Sequence, residues 1–103
     1  MSISDIILKH PDRVPVTVKP KDEVAGFLDK DRYLVPRDMT LGAFVAHLRK
    51  RMTKLKAYEA IFIFVGKNNV LPPVNSTMDA LYREHADNDQ MLYIVFAKEN
   101  TFG

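Results

Sequence analysis

Three features are missing from this sequence: cysteine, a long hydrophobic run and a strong net charge. The absence of cysteine excludes disulfide scaffolds, cysteine-ligated zinc and thiol nucleophiles, and it fits the cytosol. No stretch approaches the ~18 apolar residues of a membrane span, and the N-terminal MSISDIILKH lacks the features of a signal peptide. We therefore expect this protein to reach a membrane only by recruitment or through a covalent anchor.

Patterns of catalysis, metal binding and nucleic-acid binding are also missing. The three histidines, His10, His47 and His85, lie in different predicted elements without metal-ligand spacing, and no nucleophile elbow gathers serine, histidine and aspartate. The net charge is only +2. The basic run at residues 49–56 has no interleaved aromatics, so it indicates a solvated helix end. We expect no enzymatic activity, no metal, no cofactor and no nucleic-acid partner.

The length bounds the architecture. A chain of 103 residues makes one domain, which we place over residues 1–103. It is large enough to bury somewhat over ~60% of its unfolded surface, and its apolar fraction of 47% is that of an ordinary globular protein.

The stretch from residue 32 to residue 51 is the most informative. Tyr33 to Val35 form an apolar run that Pro36 ends, which predicts a short strand. Thr40 is the predicted N-cap of a helix, and the helical spacing places one apolar face on Leu41, Phe44, Val45, Leu48 and Met52. Because a strand edge beside a helix can offer a peptide both backbone hydrogen bonds and side-chain pockets, we predict a peptide-binding site here.

The remaining stretches complete the element order. Ser2 is the predicted cap of a short helix that begins the chain, and Ser76 that of another, with Asp79 completing a capping box. Three further strands are predicted at residues 13–19, 60–65 and 90–97. The second is wholly apolar, which is typical of a strand buried on both faces, and the third is too apolar to have an exposed face. Pro15 lies inside the first of these strands, where a missing backbone donor is expected to face a gap or a bulge.

This order predicts an α+β fold of the β-grasp, or ubiquitin-like, type. Two strands, a crossing helix and two more strands form a four-stranded mixed sheet in that fold. The first and last strands lie parallel in the middle, and the second strand is an edge. Residues 98–103 form a flexible tail after the last strand.

Several blocks of sequence resemble one known family. In order they are KHPDRVPVTV, LDKDRYLVP, the helix end LRKR, the FV…NNVLPP turn, TMDALYREH, LYIVFA and a terminal aromatic-Gly pair. Together they are similar to the autophagy ubiquitin-like modifiers, the family of the GABA-A-receptor-associated protein and microtubule-associated protein light chain 3. The resemblance extends over residues 9–103.

The resemblance implies a non-enzymatic modifier. An E1-like enzyme activates the terminal glycine of such proteins, an E2-like enzyme receives it, and the product is an amide with phosphatidylethanolamine, which a cysteine protease later removes. The modifier is cytoplasmic, and when lipidated it lies on autophagosomal membranes, where it recruits cargo receptors carrying an aromatic-x-x-aliphatic motif. By the same resemblance we expect a monomer, with conjugation at Gly103, after Phe102.

The resemblance also implies two motif pockets, matched position by position. The first, for the aromatic side chain, comprises Pro15, Thr17, Arg32, Leu34 and Met91. The second, for the aliphatic side chain, comprises Tyr33, Val35, Pro36, Met39, Phe44, His47 and Arg51. Arg13 and Lys30 match positions that meet acidic residues around the motif.

The sequence departs from the family in places. The N-terminal helical extension is shortened to residues 1–10, His47 replaces a usually apolar residue, and Gln90 and Met91 stand where many members have two aromatics. The chain also ends at the glycine, as a processed, truncated or directly encoded form would. Two alternatives stay open: a related modifier joined to a protein lysine, and a β-grasp adaptor that binds motifs without being conjugated.

Overall fold

The computed structural model describes residues 2–21, 31–52 and 61–97. Its elements are α1 (Ile3–Lys9), β1 (Arg13–Pro20), β2 (Arg32–Pro36), α2 (Leu41–Arg51), β3 (Phe62–Val65), α3 (Met78–His85) and β4 (Leu92–Ala97). The predicted element order is confirmed. The predicted tail at residues 98–103 lies outside the described residues. Within the described ranges, every helix is too short or too polar to cross a bilayer.

The four strands form one mixed sheet in the order β2-β1-β4-β3. β1 runs antiparallel to β2 and parallel to β4, and β4 runs antiparallel to β3. The predicted β-grasp arrangement, with the first and last strands adjacent and parallel and the second at an edge, is therefore confirmed.

Pro15 fits into β1 without disturbing the sheet. It lies opposite Leu34 of β2, whereas the ladder between β1 and β4 begins only at Val16, opposite Leu92. Pro15 thus precedes that ladder, where a missing N–H breaks no hydrogen bond between the two central strands. This is the gap that the sequence predicted.

The core lies on one face of the sheet, between the strands and the helices α2 and α3. Val14, Val16 and Val18 of β1 alternate with outward positions and are at most 1% exposed. They join one cluster with Leu48 of α2 and Leu81 of α3. Each such side chain contributes roughly 1.5–3 kcal/mol by leaving water. The opposite face of the sheet, which we call the outer face, is covered in part by α1.

Among the boundaries that differ from the prediction, two have a clear local cause. The N-cap of α3 is Thr77, whose hydroxyl accepts from Ala80 N at 3.1 Å, so the assignment to Ser76 was wrong by one residue. β4 begins at Leu92 rather than Gln90, because Gln90 has a left-handed φ of 66° and the N–H of Met91 donates to the side chain of Asp89.

Candidate functional site

A cavity of about 320 Å³ opens on the outer face of the sheet, and we call it the first pocket. Four of the five residues predicted for the aromatic pocket, Pro15, Arg32, Leu34 and Met91, line it. Thr17 lies two residues beyond Pro15 on the same strand, is only 4% exposed, and is not among the described residues that line the cavity.

Strand register explains why these side chains meet. Pro15 and Leu34 are cross-strand partners, and because side chains alternate along a strand both point to the outer face. Met91 directly precedes Leu92, which pairs with Val16, so Met91 comes to lie beside Pro15. The pocket therefore depends on the relative register of three strands.

Helix α1 supplies a wall that the sequence analysis missed. Ile3 and Ile6, both half-buried, line the first pocket together with Arg13, Val16 and Tyr33. Their spacing of three residues places them on one helical face. That spacing was visible in the sequence, but it could not indicate which surface the helix covers.

The rim of the first pocket is cationic. Arg13 and Arg32 are the charged residues among the described lining residues, and both are exposed. Positive charge around an apolar floor attracts carboxylates and raises the rate of association with acidic partners. The site is thus suited to an aromatic side chain with acidic neighbours.

Hydrogen bonds fix the loop that carries Met91. The Asp89 carboxylate accepts from Met91 N at 3.1 Å and from the hydroxyl of Tyr93, and this second bond raises the pKa of Tyr93 above its usual value of 10.0. The Tyr82 hydroxyl donates to Gln90 O at 2.7 Å, and burial is the main cause of the raised pKa of Tyr82. Met91 therefore forms a pocket wall of fixed position.

We call the residues predicted for the aliphatic pocket the second patch. It comprises Tyr33, Val35, Pro36, Met39, Phe44, His47 and Arg51.

The floor of the second patch belongs to the core. Val35 and Phe44 are 3% and 2% exposed. The ring of Tyr33, which is half-buried, meets that of Phe44 edge to face, with centroids 5.7 Å apart and an interplanar angle of 80°. These residues therefore support the second patch from below and expose little of their own surface to a ligand.

The upper part of the second patch is accessible. Pro36 and Met39 are half-buried and bracket a turn closed by Met39 N donating to Pro36 O at 3.2 Å. His47 and Arg51 are exposed, four residues apart on one face of α2. The patch is thus an apolar floor with one turn and two polar side chains above it.

Strand β2 separates the two sites and lies at the edge of the sheet. Leu34 lines the first pocket, and Val35 packs in the core on the opposite face. Tyr33 both borders the first pocket and packs against the core. In the described part of the chain, no strand pairs with the side of β2 that faces away from β1. An extended peptide can therefore add to this edge and reach both faces.

A larger apolar groove, of about 660 Å³, lies elsewhere on the molecule and was not predicted. It is lined by Leu41, Gly42, Val45, Ile61, Phe62, Ile63, Leu71, Pro72, Pro73 and Val74. The described lining residues are all uncharged, whereas the first pocket combines an apolar floor, two cations and a strand edge. Although it is smaller, the first pocket is the better candidate for specific recognition, because its polar and charged groups can select one ligand over another.

Three of the predicted site residues, Lys30, Phe102 and Gly103, lie outside the described residues. Over residues 2–21, 31–52 and 61–97, no three side chains from His, Asp and Glu come close enough together to hold a metal ion.

Comparison with known proteins gives one consistent result. The family model described as "Autophagy protein Atg8 ubiquitin like" matches residues 1–103. Autophagy-related protein 8e of Arabidopsis thaliana is 52% identical over 97 residues, which is 92% of this chain and 76% of the relative. Autophagy-related protein 8a of the same plant is 50% identical over 96 residues, with the same two coverages.

A solved structure agrees in fold. The crystal structure of ATG8 from Trypanosoma brucei superimposes with a TM-score of 0.82 at 35% sequence identity. The match covers 98% of this chain and 85% of that one.

Proposed function

Because the chain belongs to the Atg8 family of autophagy ubiquitin-like proteins, we propose that it is a non-enzymatic modifier with two functional parts. The folded part binds aromatic-x-x-aliphatic motifs of cargo receptors. The C-terminal Gly103 forms an amide bond with the amine of phosphatidylethanolamine, which anchors the protein on autophagosomal membranes.

One observation carries the binding proposal: the first pocket and the second patch lie on opposite faces of the edge strand β2. Successive side chains of an extended peptide point to opposite faces, so two residues three apart also point to opposite faces. A peptide added beside β2 therefore directs its aromatic residue toward Leu34 and its aliphatic residue toward Met39. The spacing of the motif matches the geometry of the strand.

The charges around the site support the same class of partner. Arg13 and Arg32 lie at the entrance to the first pocket. Their positive charge attracts acidic residues that flank the aromatic residue of a motif. Electrostatics of this kind selects partners and speeds association more than it tightens binding.

Conjugation through Gly103 is proposed from the family. An E1-like enzyme activates the glycine carboxyl group, an E2-like enzyme carries it, and a cysteine protease reverses the modification. The protein is then cytoplasmic when free and membrane-bound when lipidated. A two-chain phospholipid provides a stable anchor to a chain that otherwise binds membranes only by recruitment.

The intact mass of the protein isolated from membranes of its own cells tests conjugation. We expect an added phosphatidylethanolamine localised to Gly103, and its loss in Gly103→Ala with motif binding preserved. Detection of an isopeptide bond between Gly103 and a protein lysine would instead show that the protein modifies proteins and not lipids. An unmodified C-terminus during induced autophagy would reduce the function to motif binding alone.

A further inference from the structure

One face of α3 contacts the structural supports of both candidate sites. Asp79 and Tyr82 are three residues apart, so they lie on the same side of this helix. Asp79 is in contact with Arg37, in the turn that bears the second patch. Tyr82 is in contact with Gln90, in the loop that carries Met91 of the first pocket.

The connection to the second patch consists of main-chain and side-chain bonds. Arg37 lies between Pro36 and Met39, and its guanidinium donates to the Asp79 carboxylate and, through Nε, to Pro11 O at 2.8 Å. In return, Asp79 N donates to Arg37 O at 3.0 Å. The turn is thereby attached to α3 and to the chain entering β1.

The connection to the first pocket depends on the Tyr82 hydroxyl. The hydroxyl donates to the carbonyl oxygen of Gln90 at a distance of 2.7 Å. Gln90 has a φ of 66°, in the left-handed region that residues other than glycine rarely adopt. Met91, the pocket wall, is the next residue. A bond that fixes Gln90 therefore also fixes Met91.

The two connections touch each other. The guanidinium carbon of Arg37 lies 5.8 Å from the centroid of the Tyr82 ring, a distance suited to a cation–π contact. A motif with a fixed number of residues between its two anchors needs two receiving sites at a fixed separation. Contact between the two supports sets such a separation.

We propose that Arg37, Asp79 and Tyr82 are positioning residues that hold the wall of the first pocket and the turn of the second patch at the separation required by the motif. This inference rests on the proposed motif binding. The three side chains do not need to touch the peptide; they act through Met91 on one side and through Pro36 and Met39 on the other.

Peptide titration of the full chain tests the inference. Three peptides are needed: a parent with acidic flanks and the motif Trp-x-x-Leu, one with alanine in place of the tryptophan, and one with alanine in place of the leucine. The measured quantity is the ratio of Kd for each alanine peptide to Kd for the parent. This ratio reports how well each site recognises its own anchor.

Each variant is expected to affect one site. Arg37→Lys keeps the charge but cannot reach Pro11 O and Asp79 with the same planar fork, so the leucine ratio falls. Tyr82→Phe removes only the hydroxyl, so the tryptophan ratio falls. Each decrease should be about threefold to tenfold, the effect of losing one such hydrogen bond.

Arg83→Ala is the matched control. Arg83 also pairs with Asp79, at 3.1 Å, but its side chain is 76% exposed and this ion pair lies within α3, so both ratios should stay at the wild-type values. If Arg37→Lys and Tyr82→Phe weaken all three peptides by one common factor, the residues are merely structural and the inference is wrong. If the wild-type chain does not bind the parent, the proposed function itself fails, and the inference with it.

Discussion

Thr40 and Thr77, the N-cap residues of α2 and α3, pair with each other as an antiparallel β-bridge. The first-turn N–H groups of each helix find acceptors beside the other helix: Leu41 N donates to Ser76 O, and Met78 N to Met39 O, both at 2.8 Å. Helix N-termini expose such donors and need partners for them. Residues beside the start of each helix therefore accept hydrogen bonds from the first-turn N–H groups of the other.

This relationship predicts which hydroxyl stabilises α3. Thr77→Ala removes the acceptor of Ala80 N and should lower the free energy of unfolding by about 1 kcal/mol, as loss of an N-cap does. Ser76→Ala keeps the backbone carbonyl that accepts from Leu41 and should change stability far less. Chemical denaturation measures the free energy of unfolding of the two variants. A larger decrease in Ser76→Ala than in Thr77→Ala would show that Ser76 is the N-cap of α3.

Leu34→Asp should abolish most motif binding without unfolding the protein. Leu34 is only half-buried, and a carboxylate there would replace the apolar surface that receives the aromatic side chain and would offset the positive charge of Arg13 and Arg32. We expect Kd to rise at least tenfold, or about 1.4 kcal/mol. Leu71→Asp is the matched control, since Leu71 is 52% exposed and lines the other groove. Equal loss in both variants would contradict the assignment of the site.

Phe44→Ala is a poorer probe of motif binding, because Phe44 is a buried residue of the second patch. Phe44 is 2% exposed and belongs to the core, so its truncation should cost about 3–5 kcal/mol of stability. Thermal unfolding of this variant should show a large decrease in Tm. A Tm equal to that of the wild type would mean that Phe44 is not a core residue.

Arg32→Ala should slow association with acidic peptides. Removing this rim charge is expected to lower the association rate about threefold to tenfold at low salt and less at high salt, because exposed charges are screened. Stopped-flow binding measures the rate, with Arg83→Ala as an exposed arginine away from the pocket. A change confined to the dissociation rate would show that Arg32 acts by contact and not by steering.

Stability should depend on pH through Asp79. The hydrogen bond from Arg37, the largest cause, holds the pKa of Asp79 below its usual value of 3.8. A carboxyl group with a lowered folded-state pKa stabilises the protein above 3.8, and this contribution disappears as the pH falls through the folded-state pKa.

The measurement is the difference in Tm between the wild type and Asp79→Asn across that range. The variant should be less stable at neutral pH, and the difference should vanish at a pH below the folded-state pKa of Asp79. Asp38→Asn, an exposed carboxylate in the same turn, serves as the control. A difference that stays constant down to that pH would contradict the ionic role of Asp79.

Much of this fold follows from local patterns. Alternating valines predicted β1, two apolar runs predicted β3 and β4, and the spacing from Leu41 to Leu48 predicted α2. The order of these elements was sufficient for the sheet topology, including the position of Pro15. Each of these features depends on residues close together in the sequence.

The remaining features depend on contacts between distant residues. Ser76 and Thr77 are equally good caps by type, and only the bond between Met78 N and Met39 O decides where α3 begins. The apolar side of α1 was evident, but not its contact with the first pocket. From the sequence, Phe44 could be a core residue or a pocket residue. Only its burial in the structure shows that it belongs to the core.

The most direct test of the account is a titration of the protein, labelled at its methionine methyl groups, with a Trp-x-x-Leu peptide followed by NMR. The chain has five methionines; Met91 lines the first pocket and Met39 the second patch, whereas Met52 and Met78 are buried in the core. We expect Met91 and Met39 to shift together with one Kd and more strongly than Met52. Binding that leaves both Met91 and Met39 unchanged would place the motif elsewhere and contradict the account.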